Sequence, residues 1–178
     1  MKRVFVCAGA SLANNQNINN QAKELGYILA KNNVTYVQGG SCLGVMGETL
    51  KSFITQSNNI EIIIPKAYYD NDAPLIAKLL GESNFKPIIV NEELERLKII
   101  KSCDHIIVMP GGTGTLEELL YSNETSRAKE HNCKIDVINI DGFYNGVLEQ
   151  IKTNINEGLS KPSAIHFNIL KNVNEIVF

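Results

Sequence analysis

Short β-branched runs alternate with longer amphipathic stretches along this chain, and that rhythm constrains its fold more than any other feature. The runs are Arg3–Ala8, Thr35–Gln38, Ile60–Ile64, Lys86–Val90, His105–Met109 and Asp136–Ile140. Two of them, Ile60-Glu61-Ile62-Ile63-Ile64 and Ile106-Ile107-Val108-Met109, are almost unbroken apolar sequence, as strands buried on both faces require. Between the runs the spacing predicts helices over Asn17–Asn32, Val45–Gln56, Leu75–Leu80, Glu92–Ser102, Leu116–Glu130 and Tyr144–Asn156, the first with Ala22, Leu25, Ile28 and Leu29 on one stripe. Strand–helix alternation of this kind gives an α/β fold with a mainly parallel sheet covered on both faces. Gly158 is placed to cap the last helix, and the asparagine patches at Asn14–Asn20 and Asn32-Asn33 read as loops and helix ends.

At 178 residues, with neither an internal repeat nor a low-complexity linker, the chain is expected to form one domain over 1–178. A formal net charge of -2 argues against wrapping DNA or RNA, and no apolar run reaches the roughly 20 residues of a membrane span. The start, MKRVFVCAGAS, imitates a secretory signal, but its apolar stretch Val4–Ala8 is shorter than the roughly 7–15 residues of a signal core. It reads better as a strand entering a glycine turn, and a cytoplasmic protein is expected. Cys7, Cys42, Cys103 and Cys133 are dispersed, as are His105, His131 and His166, so buried thiols are expected and no metal ligand set.

Ligands of open parallel sheets bind beyond the carboxyl ends of the strands. Three such ends here are rich in glycine and hydroxyl groups: Ala8-Gly9-Ala10-Ser11, the turn Gly39-Gly40-Ser41-Cys42-Leu43-Gly44-Val45-Met46-Gly47, and Pro110-Gly111-Gly112-Thr113-Gly114-Thr115. Glycine lets backbone N–H groups come close to an anion, and a helix start adds partial positive charge. A phosphorylated small molecule is therefore the expected ligand. The chain has neither GxxxxGK[ST] nor, after its first strand, G-x-G-x-x-G, which excludes the P-loop and the dinucleotide fingerprint.

In PGGTGTLEE, Thr115 and Glu118 have the Thr-x-x-Glu spacing of a capping box, with Thr115 at the N-cap and Glu118 at the third helical position. Glu117 would then be an exposed acid of the first turn. A cap does not call for Gly111, Gly112 and Gly114, however. A phosphate loop does, and it would set the carboxylates beside a sugar phosphate. There a carboxylate suits cleavage of an N-glycosidic bond, in which positive charge develops on the ribose.

PGGTGTLEE matches the PGGxGTxxE signature of the LOG family, which also carries the label lysine decarboxylase. VFVCAGAS resembles that family's first strand and turn, GGSCLGVMG its GGGxxGLMG, and GFYNGVLEQIKTNINEGL its late helix. The resemblance implies a Rossmann-like three-layer sandwich, a homodimer, and hydrolysis of a nucleoside 5′-monophosphate to free base and ribose 5-phosphate, with no cofactor. Carried over by position, Glu118 is the catalytic carboxylate, and Arg96 is the candidate for its partner. Gly9, Ser11, Gly39, Gly40, Gly44, Met46, Gly47, Pro110, Gly111, Gly112, Thr113, Gly114, Thr115 and Glu117 are the substrate-binding candidates. A pyridoxal-phosphate lysine decarboxylase is not expected, since no lysine stands in a recognisable cofactor setting.

One segment departs from the family. Cytokinin-type members have Met-His-x-Arg-Lys upstream, where this chain has Glu92-Glu93-Leu94-Glu95-Arg96-Leu97-Lys98. Ungapped alignment puts Glu95 where the arginine belongs and Arg96 one residue later. One residue is about 100° of helix rotation, so the two cannot serve the same place. This segment keeps a second reading open, a nucleotide or molybdenum-cofactor carrier without turnover. Arg96 facing Glu118 would support the hydrolase.

Overall fold

A computed structural model describes residues 1–178. Seven strands, β1 (Arg3–Cys7), β2 (Thr35–Gly39), β3 (Ile60–Pro65), β4 (Ile88–Val90), β5 (His105–Val108), β6 (Lys134–Ile138) and β7 (Asn168–Leu170), form one sheet in the order β4-β3-β2-β1-β5-β6-β7. Every pairing is parallel, so the sheet is more uniform than "mainly parallel". The six helices are α1 (Gln16–Lys31), α2 (Gly44–Phe53), α3 (Tyr69–Leu80), α4 (Glu93–Ile100), α5 (Thr113–Arg127) and α6 (Asn145–Asn156).

Strand alternation sorts the core into two halves. Val4, Val6 and Ala8 of β1 and its turn join Leu25, Leu29, Leu50 and Phe53 of α1 and α2 on one face. Phe5 and Cys7 join Leu97, Ile100, Leu119 and Tyr144, from α4, α5 and the start of α6, on the other. The chain returns from one half to the other between β4 and β5, so strand order reverses between β1 and β5. That reversal opens the crevice in which such sheets bind ligands.

Several expectations shift for identifiable reasons. Helix α3 begins at Tyr69, not Leu75: Asp70 and Asp72 favour the earlier start, and Pro74 is accommodated inside the helix, in its second turn. The asparagine patches form helix ends: Asn15 caps α1 by accepting from the Asn17 N–H, and Asn33 has φ 51°. Gly158 has φ 73° and, with Leu159, donates back to the carbonyls of Ile155 and Asn154, closing α6 as predicted. Strand β7 was not foreseen, since Asn168-Ile169-Leu170 is too short to show a period. It is held by Asn168 Nδ2 donating to Asp136 Oδ1 over 2.8 Å. Asp136 also pairs with His105 and Lys134, each at 2.8 Å. His105 and Asp136 thus work in the fold at the edge opposite the crevice, and all four cysteines are buried.

Helices α1 and α2 pack backbone to backbone at Gly26, where an added Cβ would run into the Thr49 carbonyl and come 2.8 Å from Ser52 Cβ. Gly26→Ala is therefore expected to cost on the order of 1–3 kcal/mol despite alanine's better helix propensity. Thermal unfolding followed by circular dichroism should show a midpoint lowered by roughly 3–10 °C.

Candidate active site

The three glycine turns interlock. The Gly9 carbonyl accepts from the Met46 N–H over 3.0 Å, and the Gly9 N–H donates to the Pro110 carbonyl over 3.2 Å. The Ser11 carbonyl accepts from the Val45 N–H over 3.3 Å. Amides in the first turn of α2 are thus occupied by the β1 turn. Gly44, with φ 64°, and Gly47 permit this approach, because a Cβ would meet the Ala10 backbone in one case and the Cys42 carbonyl in the other. A Cβ on Gly40 would crowd the Ile64 side chain, whereas Gly39 makes only ordinary contact with the Met46 methyl. In the Gly39–Gly47 turn the amides of Ser41, Leu43, Val45, Met46 and Gly47 are bonded within the protein, so this turn braces the crevice.

The β5–α5 turn is built differently. Gly111 is packed: a Cβ there would come 2.8 Å from Gly9 N and overlap Thr115 Oγ1. At Gly112 and Gly114 nothing lies within 4 Å, so the protein's own packing does not require glycine at either place. Helix α5 starts at Thr113 with Gly112 as N-cap, and no side chain caps it. The capping box is accordingly overturned. Thr115 is the third helical residue and is buried against Gly111, Glu117 is an exposed acid of the second turn, and Glu118 lies further along. The amides of Thr113, Gly114 and Thr115 have no acceptor within the protein, and the helix start adds its partial positive charge. These free donors and the exposed Ser11 hydroxyl are the groups with which this edge can meet an anion.

Glu118 projects from α5 into the interior, 5% exposed. Arg96 of α4 meets it, with Nη2 3.3 Å from Glu118 Oε1, and Arg96 Nε lies 2.9 Å from Glu93 Oε2. That second approach is too oblique for a hydrogen bond and leaves the buried Nε without one. Glu95 takes no part. Its Oε2 accepts from the Asn91 N–H over 2.7 Å, capping the start of α4. The one-residue displacement seen in the sequence is thereby resolved: Glu95 secures the helix end, and Arg96 faces Glu118.

Burial pushes the Glu118 carboxyl up to about 7, opposed by the Arg96 charge and the Cys7 thiol and reinforced by Glu93 and Glu117. Burial, and then Glu118 itself, hold the Cys7 thiol well above its ordinary range. Burial likewise raises the Tyr144 phenol, whose hydroxyl donates to the Met109 carbonyl over 2.7 Å. Cys7, Glu93 and Tyr144 were not among the sequence candidates. Only Glu93 left a signal, its three-residue spacing from Arg96 on one helix face. A carboxyl poised near neutrality beside a cation, below unoccupied amides, can hold an anion and stabilise positive charge next to it.

On the other side of the α5 start, the crevice at the strand-order reversal has a volume of about 340 Å³, and neither Glu118 nor Arg96 lines it. A larger cavity of about 590 Å³ lies by the far part of α5. Its Glu124 and Arg127 pair with each other, and none of the glycine turns reaches it.

A family model described as possible lysine decarboxylase matches residues 29–178. The chain belongs to that family, the LOG family. Among its relatives are two cytokinin riboside 5′-monophosphate phosphoribohydrolases of Arabidopsis thaliana. One is 29% identical over 93% of this chain and 75% of the relative, the other 30% identical over 99% and 75%. Similar solved structures include the molybdenum cofactor carrier protein of Chlamydomonas reinhardtii, with TM-score 0.66 and 18% identity over 97% of this chain and 91% of that one. The molybdenum cofactor binding protein of Rippkaea orientalis gives TM-score 0.66 and 17% identity over the same shares. At such identities these two structures speak for the Rossmann-like fold alone. No helix is long and apolar enough to cross a membrane.

The Glu118 carboxyl has a consequence for folding. It keeps its proton to about pH 7 in the folded protein, against an ordinary value of 4.5. The folded state therefore binds more protons between these values, and stability falls as the pH rises through 7. Urea unfolding at pH 5 and pH 8 should show a loss on the order of 1–3 kcal/mol in the native protein that Glu118→Gln does not show.

Proposed function

We propose that this protein is a nucleoside 5′-monophosphate phosphoribohydrolase acting on a purine-type nucleotide. The observation that carries the reading is the placement of buried Glu118, paired with Arg96, below the unbonded amides of Thr113, Gly114 and Thr115. In this reading the 5′-phosphate sits on those amides and near Ser11, and the ribose C1′ comes beside Glu118. The bond from C1′ to the base nitrogen breaks, and its electron pair leaves with the base. The ionised Glu118 stabilises the oxocarbenium-like centre or orients the water that attacks it. The water oxygen bonds to C1′, and one of its protons replaces the lost bond on the base. Arg96 holds substrate and keeps enough Glu118 ionised near neutral pH.

The names of the sequence relatives support the reaction class. The lysine decarboxylase label has less behind it, since no lysine lines the crevice and none is buried. The carrier reading rests on the altered Glu95-Arg96 segment and on the likeness in fold to molybdenum cofactor carriers, and turnover separates the two.

Incubation with AMP, with release of ribose 5-phosphate measured, should show activity that Glu118→Ala lowers by about 10²–10⁴-fold. Because Glu118 must be ionised, kcat/KM should rise with pH through an inflection near 7. Replacing Arg96 by Ala should move that inflection to higher pH, since the Arg96 charge lowers the carboxyl's pKa. Nucleotide binding with no release of ribose 5-phosphate at any pH would reject the hydrolase in favour of the carrier.

A further inference from the structure

The crevice beside the α5 start has a feature that the proposed reaction leaves unused. Phe143, in the loop between β6 and α6, forms one of its walls and is 47% exposed. A single exposed phenylalanine is ordinary in a folded protein. This one, however, stands on a braced turn. Asp141 and Gly142 both have positive φ, 50° and 78°. Asn139 Oδ1 accepts from the Tyr144 N–H over 2.7 Å, and the Tyr144 hydroxyl is tied to the Met109 carbonyl at the foot of the β5–α5 turn. The Asp141 carboxylate accepts from the side chains of Asn15 and Asn17 at 2.8 and 2.9 Å, joining the loop to the start of α1. The Phe143 ring stands edge-on to Tyr144, with centroids 5.0 Å apart and planes at 85°. An apolar ring is therefore held at a fixed place in the mouth of a ligand-sized crevice.

Gly9, Ser11, Ala13 and Val45 line the same crevice, and its lining extends to Gly112, the N-cap of α5. The volume, about 340 Å³, lies within the range of about 300–1,000 Å³ usual for small-molecule sites. An anion on the α5 amides can be extended in two directions, toward Glu118 and Arg96 or into this crevice. A mononucleotide whose phosphate lies by Ser11 and whose ribose lies at Glu118 leaves the Phe143 part of the crevice unfilled.

We infer that the crevice is a second subsite, which takes a planar ring joined through the phosphate, as in a dinucleotide with two nucleosides linked by a pyrophosphate. The ring stacks on Phe143, the pyrophosphate lies across the amides of Thr113, Gly114 and Thr115, and the first nucleoside keeps its place at Glu118. This inference rests on the proposed placement of the phosphate and deepens it.

The test is calorimetric titration in the Glu118→Gln background, with AMP and with two adenosines joined by a pyrophosphate. Ring stacking corresponds to about a 10-fold gain, so the dinucleotide should bind about 10-fold more tightly than AMP. Phe143→Ala should remove that gain and leave AMP affinity unchanged, and Phe143→Tyr should restore it. Equal affinity for the two ligands would overturn the inference, as would equal losses for both in Phe143→Ala. A Phe143-dependent gain on a protein that releases no ribose 5-phosphate from AMP would uphold the subsite while the hydrolase reading fails. Binding of neither ligand would remove both.

Discussion

The backbone of Gly9 holds the site together. Its carbonyl is fixed by Met46 and its N–H by Pro110, so three strand-end turns share one small backbone junction above β1. That junction forms only if the chains approach without side chains between them. A Cβ on Gly9 would come 3.2 Å from Gly111 Cα, and one on Gly111 would reach Gly9 N. The same approach sets Thr115 against Gly111 and thereby fixes where α5 begins. Where α5 begins decides which of its amides stay free and which face carries Glu118 inward.

The fold was largely legible because a parallel sheet buried on both faces writes its strands as apolar runs, as in Val4–Cys7 and Ile106–Val108. What stayed hidden was short or tertiary. β7 has three residues and depends on Asp136 from a neighbouring strand. The earlier start of α5 depends on a glycine N-cap, which no local side-chain pattern announces.

For the candidate site, the residue types that come together could be read in part, as with Arg96 and Glu118, and their packing could not. The three glycine turns look alike as sequence. In the folded chain the Gly39–Gly47 turn clamps, the Gly9 turn joins, and the Gly111–Thr115 turn presents donors. The open surroundings of Gly112 and Gly114, against the crowding of Gly44 and Gly47, separate a glycine that packing does not require from one that it does. The ambiguity between Glu95 and Arg96 was settled by a cap, since a carboxylate bonded to the Asn91 N–H turns away from the cleft.

The buried, half-ionised carboxyl under the α5 amides also makes occupancy of the site a protonation event. An anion seated on those amides brings negative charge toward Glu118 and favours its neutral form further. Filling the site then draws protons from solvent near neutral pH, and emptying it returns them. The measured heat of binding would accordingly vary with the ionisation enthalpy of the buffer, although no titratable side chain need touch the phosphate itself.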